Sequence, residues 1–327
     1  MTRLEQLGEF GLIELLTRNL SGSSSVAVGI GDDCAVVLDG KRQYLFTCDA
    51  FIENIHFRRS WASPEDIGRK AAAAALSDIA AMGGVAKYML VALACRRDTD
   101  TAYLERLYSG LKAASEAERV SVIGGDTTAS LEGIMISITV IGKALDNPIL
   151  RSGARPGDLV AVTGHPGSAA QGLYALEQGD VNAPETLLGA HLRPRPKIME
   201  GRFLGNGEVN AMIDLSDGLV QDLGHIAERS NVSIAIETDK LPLTPEQRLY
   251  AEKTGISAVQ AALCGGEDYE LAFTVPPRQA AILLPEFRLQ FSLAVTIIGI
   301  VNDGPARVTV DGRPCPHGGF NHFQTGK

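Results

Sequence analysis

Lysines and arginines nowhere gather into a block in this 327-residue sequence, and acids outnumber bases 39 to 30, for a formal net charge of −9. Nucleic acid and anionic membrane surfaces reward clustered cations, so both are poor partners for such a chain. Cysteine is scarce. The five residues, Cys34, Cys48, Cys95, Cys264 and Cys315, are odd in number and show no C-x-x-C spacing, which argues against a disulfide framework or a zinc site. No apolar stretch approaches the ~20 residues that a membrane-spanning helix needs. The opening "MTRLEQLGEFGLIELLTRNL" carries acids inside its apolar pattern and has no small-residue cleavage site. The expected location is the cytoplasm.

Two nucleotide-binding signatures are also missing. In "VGIGDDCAVV" (28–37), Gly29 and Gly31 fit the first two positions of a dinucleotide fingerprint, but the third glycine is replaced by Cys34. No Lys-Ser/Thr pair follows these glycines, so the stretch is not a P-loop either. Its two aspartates have the wrong sign for direct contact with phosphate. Something positive should sit between.

What is present is a compact, loop-rich composition, 45% hydrophobic with 35 glycines, in a chain longer than one core usually holds. Two α/β domains are expected, 1–148 and 149–327, joined at the Gly/Pro-rich "RSGARPGD" (151–158). Helical spacing of apolar residues marks 3–19, and strands fall near 34–38 and 43–48. "SPEDIGRKAAAAALSDIAAMGG" carries strong helix signals: Ser63 as N-cap, Pro64 at the first helical position and Gly83-Gly84 as the stop. Strand 87–94, helix 100–117 and strand 133–141 complete a βαβ-like half, the last strand alternating Ile134, Ile136, Ile138 and Val140. In the second half the pattern predicts strands at 158–163, 232–237, 269–275 and near 295–310. Helices are predicted at 167–178, near 195–205, at 217–230 and, in two stretches, over 245–262.

Acids occupy positions where acids are costly. Asp78 lies near the end of the Ala-rich helix, beside Leu76, Ile79 and Met82. A carboxylate there faces the negative end of the helix dipole, at roughly 0.3–1 kcal/mol, and loses solvation if it points inward. A nearby cation would reverse both penalties; the alternative is an exposed residue on a polar stripe. "FTCDA" sets Asp49 at a strand end, "IGGDTT" sets Asp126 after two glycines, and "MIDLSDGL" sets Asp214 and Asp217 around Ser216, where Asp217 or Ser216 could also serve as an N-cap. Carboxylates on glycine-flanked loops suit Mg²⁺, which takes a few carboxylates and completes its shell with water and phosphate oxygens. The aspartates of "VGIGDDCAVV" would then hold metal, and the metal would hold phosphate. Gly124-Gly125 could present backbone N–H groups to an anion, or simply form a tight turn.

"VGIGDDCAVV", "TCDAFIENIHF", "ALSDIAAMGG", "IGGDTT", "RSGARPGD", "IDLSDGL", "GGEDYEL" and "GGFNHF" resemble, in order and over nearly the whole chain, the thiamine-monophosphate kinase family of the aminoimidazole ribonucleotide synthetase-like superfamily. That resemblance implies phosphorylation of thiamine monophosphate by ATP with several Mg²⁺ ions and no protein nucleophile. It also implies an α/β fold of two domains and a homodimer whose N-terminal sheets join in a barrel. By motif position, Asp32, Thr47, Cys48, Asp49, Asp78, Asp126, Asp214 and Asp217 would surround metal. Tyr108, Gly125, Asp126, Arg151 and Ser216 would contact ATP, and His56, Glu267 and Phe320 the thiamine phosphate. Cys48 departs from the threonine often found there, which matters only if its side chain rather than its carbonyl is used. Competing readings are a sister enzyme of the superfamily, such as a selenophosphate synthetase or hydrogenase-maturation protein, and a non-enzymatic divalent-metal-binding protein. Against the former stand the tail "GGFNHFQTGK", which lacks cysteine, and the lack of a Cys-Gly motif ahead of the acidic loop.

Overall fold

A computed structural model describes residues 4–315 and 319–323 of the chain; Arg3 of the expected first helix and Gly318 of "GGFNHF" lie outside them. In the first half, α1 (Leu4–Thr17), β1 (Val26–Val28), β2 (Ala35–Asp39) and β3 (Arg42–Ile52) precede a long helix α2 (Pro64–Ala81). They are followed by β4 (Val85–Cys95), α3 (Thr101–Ala117), β5 (Ser121–Ala129) and β6 (Met135–Lys143). The six strands form one sheet in the order β1-β2-β3-β6-β4-β5. Every pairing is antiparallel except β4 with β5, whose crossover is α3.

The second half contributes β7 (Leu159–Thr163), α4 (Ser168–Gln178), α5 (Glu185–Leu192), α6 (Ile198–Gly205), β8 (Ala211–Asp214), α7 (Leu219–Ser230) and β9 (Ser233–Ile236). It continues with α8 (Pro245–Thr254), α9 (Ala258–Cys264), β10 (Leu271–Val275), α10 (Pro277–Gln290), β11 (Val295–Asn302), β12 (Arg307–Val310) and β13 (Arg313–Pro314). Its sheet runs β13-β12-β9-β11-β7-β10-β8. The molecule is therefore a mixed α/β fold with two sheets, one per half.

Three expectations need correction. "IGGDTT" is not a turn but the middle of the edge strand β5. Gly125 is required by the strand itself, because a Cβ there would lie 1.8 Å from the Val91 carbonyl oxygen; two glycines in sequence look the same whether they turn the chain or let a neighbouring strand approach. The helix expected near 195–205 begins only at Ile198, and α5 and α10 went unpredicted, since "ETLLGAHL" and the proline-containing "PRQAAILLPEFRLQ" carry weak periodicity. Neither Ser216 nor Asp217 caps α7: its N-cap is Gly218, and the buried Asp222 carboxylate, from within the first turn, accepts the N–H groups of Gly218 (2.9 Å) and Asp217 (3.3 Å).

Helix α2 is the hub. Ser63 Oγ accepts the Asp66 N–H at 3.1 Å and Pro64 opens the helix, as its sequence predicts. From Ala71 to Ser77 every residue is buried, the sign of a helix covered on all sides. One side faces Ile136, Ile138 and Val140 of β6, the predicted alternation. Another meets α3 backbone to backbone: a Cβ on Gly68 would lie 1.9 Å from the Leu107 carbonyl oxygen, and one on Gly110 1.9 Å from that of Glu65. The same apolar core continues into the second half through Tyr269, Leu271, Phe273 and Phe287, so α2 ends against the edge of the second sheet. Gly110→Ala should accordingly destabilise the fold by at least about 1–3 kcal/mol, the usual range for overpacking a rigid contact. Denaturant unfolding with a midpoint equal to that of the unsubstituted protein would contradict this packing.

Candidate active site

Three carboxylates from distant segments converge where the halves meet. Asp33 stands in the loop before β2, Asp78 in the last turn of α2, and Asp214 at the end of β8; one oxygen of each lies within 4.8 Å of the others. Thr47 Oγ1 donates to Asp78 Oδ2, fixing the carboxylate that the helix dipole disfavours. Arg151 Nη2 and Nε donate to Asp33 Oδ1 at 2.6 and 3.2 Å, and the Arg151 backbone N–H points at both oxygens of Asp32 at 3.2 Å. Asp33 Oδ2 and Asp214 Oδ2 are buried and have no hydrogen-bond partner among the described residues.

One arginine does not balance so many acids. Burial, reinforced by Asp33, pushes Asp214 up to about 8, and burial with Asp33 pushes Asp32 up to about 6. Burial lifts Asp49 to about 6, and burial with the field of Glu9 does the same for Asp217. Asp78 is raised well above the ordinary carboxylate range by burial and by Asp49, Asp214 and Asp33. Unpaired buried carboxylates of this kind take up protons or a cation.

Beside the acids lies an aromatic and basic hollow whose walls include His56, Trp61, Ile67, Lys70, His191 and Leu192. His56 Nδ1 accepts the Ile52 N–H at 3.0 Å, and its ring stacks on Phe51 and faces His322 at a centroid distance of 5.0 Å. His322 in turn meets Phe320 edge-on at 4.8 Å. Burial, then His322 and Lys70, hold His56 down at about 4, so the ring is neutral at pH 7. Phe320 is half exposed; its N–H donates to the Asp217 carbonyl, and Gln221 Nε2 bridges the Asp217 carboxylate and the Phe320 carbonyl. Glu267 is pinned to the first site through its N–H to the Ser216 carbonyl (2.8 Å), while its side chain meets Lys70 Nζ at 2.8 Å.

The structure thus gathers Asp32, Thr47, Asp49, Asp78, Arg151, Asp214, Ser216 and Asp217 in one region, with His56, Glu267 and Phe320 alongside. It does not bring in Tyr108, Gly125 or Asp126 from the same chain. Tyr108 packs beside the first turns of α2, about 15 Å along that helix from Asp78 at 1.5 Å per residue. Asp126 shares a row with Ala92, Ser137 and Ala50, about 14 Å of sheet from β3. Strand alternation turns Cys48 away from Thr47 and Asp49, its Sγ 3.5 Å from Ser137 Oγ, so only its backbone is available to the acidic side. Sequence reasoning missed Asp33 as the member of the pair inside the cluster, and it missed Asp222, Lys70 and His191. The doubled aspartate of "GIGDDC" was the available signal for the first; a lysine inside an alanine run was the signal for Lys70.

Residues 31–144 match the sequence family described as AIR synthase related protein, N-terminal domain, and residues 155–311 match its C-terminal domain. The thiamine-monophosphate kinase of Aquifex aeolicus is 39% identical over 98% of this chain and 100% of its own length. The chain belongs to the thiamine-monophosphate kinase family. Its Bacillus subtilis member is 36% identical over 91% of this chain and 92% of that protein. The solved structure of AaThiL complexed with AMPPCP and TMP superimposes with a TM-score of 0.88 at 38% identity, covering 99% of both chains.

The raised acids set a pH signature. A carboxyl whose folded pKa exceeds its unfolded value stabilises the fold below the unfolded value and loses that contribution as pH rises through the folded one. His56, His191 and His225, lowered by burial to about 4, act oppositely but only below their ordinary 6.5. Between pH 6.5 and 9 the acids dominate, so the melting temperature of the cation-free protein should fall, with part of the slope removed by Asp214→Asn. Adding a divalent cation should raise the melting temperature more at pH 8.5 than at pH 6.5. A flat profile in the cation-free protein would refute the charge imbalance.

Proposed function

We propose that this chain transfers the γ-phosphoryl group of ATP to thiamine monophosphate, giving ADP and thiamine diphosphate. The meeting of Asp33, Asp78 and Asp214 beside Arg151, in a chain that matches thiamine-monophosphate kinases from end to end, carries this reading. An oxygen of the substrate phosphate attacks the γ-phosphorus while the bond to the departing ADP oxygen breaks. That oxygen is already anionic at neutral pH, so no protein base is assigned. The obstacle is repulsion between two polyanions held in line.

The donors fit Mg²⁺: hard carboxylate oxygens, two of them buried and unpartnered. Bound there, Mg²⁺ supplies Lewis acidity and neutralises charge between the phosphates. Asp33, Asp78 and Asp214 form the centre of the ligand set, with Asp32, Asp49 and the Cys48 backbone at its edge and Asp217 toward the tail. Thr47 orients Asp78. Arg151 holds Asp33 and retains donors for an ATP phosphate, because the guanidinium fork carries five N–H groups. Ser216, on the loop between Asp214 and Asp217, contacts the nucleotide in this reading. His56, neutral, and Phe320 face the thiamine rings, the latter by cation–π contact with the thiazolium. Glu267 accepts hydrogen bonds from the aminopyrimidine.

The active form in this reading is a cytoplasmic homodimer. Strand β5 is an unpaired edge with every residue exposed, a surface that proteins normally cover. Val122 and Ile123, with Tyr88 on the neighbouring strand, expose apolar side chains there. Joining two such sheets supports the barrel, and it would give Asp126, Gly125 and Tyr108 a second chain's site to serve.

With ATP and Mg²⁺, the purified protein should convert thiamine monophosphate to thiamine diphosphate, and ADP formation without that product would sink the substrate assignment. Asp214→Asn should lower turnover at least about a hundredfold, in keeping with the several kcal/mol a bound cation contributes. Ile123→Lys should shift the protein from dimer to monomer in sedimentation and lower activity with it; an active dimer in that variant would remove β5 from the interface.

A further inference from the structure

Lys70 is a buried cation for which the phosphoryl-transfer scheme assigns no role. It projects from α2 with a side chain 4% exposed, and its Nζ lies 2.8 Å from Glu267 Oε1 and 3.3 Å from His191 Nε2. An ammonium group only donates, so His191 Nε2 must accept. Burial, then Lys70, holds His191 down at about 4. The ring is therefore neutral and carries its single proton on Nδ1, which stands 3.4 Å from Glu267 Oε2. The three side chains form a ring of contacts: Lys70 donates to both partners, and His191 Nδ1 faces the other carboxylate oxygen without completing a hydrogen bond. The Nδ1 contact is electrostatic only, which leaves Glu267 Oε2 without a hydrogen bond from His191.

The backbone that carries Glu267 makes this ring necessary. Glu267 adopts φ +65°, a left-handed conformation uncommon outside glycine, and its loop is tied down by the N–H groups of Glu267 and Tyr269 on the Ser216 and Leu215 carbonyls. The main chain therefore fixes where the side chain starts but not where its carboxylate ends. Nearby stand Asp49, Asp78 and Asp214, whose fields reach the buried Tyr269 together with that of Glu267. Without a cation behind it, the Glu267 carboxylate has every electrostatic reason to swing away from those acids.

We propose that Lys70 and His191 are positioning residues that aim the Glu267 carboxylate at the heterocyclic end of thiamine monophosphate. This inference rests on the functional reading above and adds the device that sets substrate orientation. It also makes α2 a ruler, since Lys70 and Asp78 are eight residues apart on it, about 12 Å at 1.5 Å per residue. Along one helix, Lys70, which holds the ring-binding carboxylate, and Asp78, the cation-binding carboxylate, are kept a fixed distance apart.

The test is a double-mutant cycle of Lys70→Met and Glu267→Gln in the full-length protein, read by calorimetric binding of thiamine monophosphate and by steady-state kinetics. Lys70→Met should weaken binding of thiamine monophosphate and raise its KM on the order of tenfold to a hundredfold, as expected for losing a hydrogen bond to a charged group. The KM for ATP and the rise in melting temperature with Mg²⁺ should stay within about twofold of the unsubstituted protein. The double variant should be no worse than Glu267→Gln alone, because both changes break one unit, and Lys70→Arg should recover part of the loss. Additive penalties, unchanged affinity in Lys70→Met, or equal losses for both substrates would overturn the positioning role while leaving the kinase reading intact. Failure of the unsubstituted protein to bind thiamine monophosphate at all would overturn both.

Discussion

Mutual repulsion among buried carboxylates governs this molecule. Asp33, Asp78 and Asp214 are held within 4.8 Å in a place where each would rather be solvated, and the Arg151 guanidinium answers only for Asp33 and its neighbourhood. The fold tolerates this because each acid is anchored by a different rigid element: a strand end, a helix C-terminus and a loop clamped by Arg151. Under the proposed function, what the bare protein suffers as repulsion would become a preformed and strongly attractive site for a cation. A polyphosphate brought to it would meet added positive charge where the bare protein offers only the Arg151 guanidinium among the acids.

Helix α2 converts that local chemistry into architecture. Its alanines and glycines let β6, α3 and α6 approach closely, and the same packing leaves little room for the helix to move. Lys70 and Asp78 are therefore held at a fixed separation, and the acids of the second half are docked against the helix end. The three acids of "GGEDYEL" illustrate how finely roles divide over one loop. Glu267 reaches Lys70, Asp268 accepts the Gly167 and Ala169 N–H groups at the start of α4, and Glu270 pairs with Lys197 and Thr163. Two of the three are structural, and nothing in their spacing tells them apart.

Much of the fold was legible from local signals. Ser63-Pro64 opened α2 and Gly83 closed it where expected, and the alternation Ile136, Ile138, Val140 marked the buried face of β6. The edge strand β5 was misread because glycine pairs signal turns and close approaches alike. Asp78 looked anomalous from its helix position alone, which physical reasoning could detect. The choice of Asp33 over Asp32 for the centre of the cluster could not be made, since adjacent residues in a loop differ only in which way the finished fold points them.

Residue type and order determined the acidic inventory, the start and end of α2 and the family, because caps, periodicity and short motifs are properties of neighbouring residues. Tertiary structure alone decided which acids share a point in space, that Arg151 pairs with Asp33, that Lys70 and His191 stand behind Glu267, and that Asp126 lies apart on an exposed edge. Those relations join residues up to nearly two hundred positions apart, and the energies that set them, burial and Coulomb fields, depend on distances that no local pattern contains.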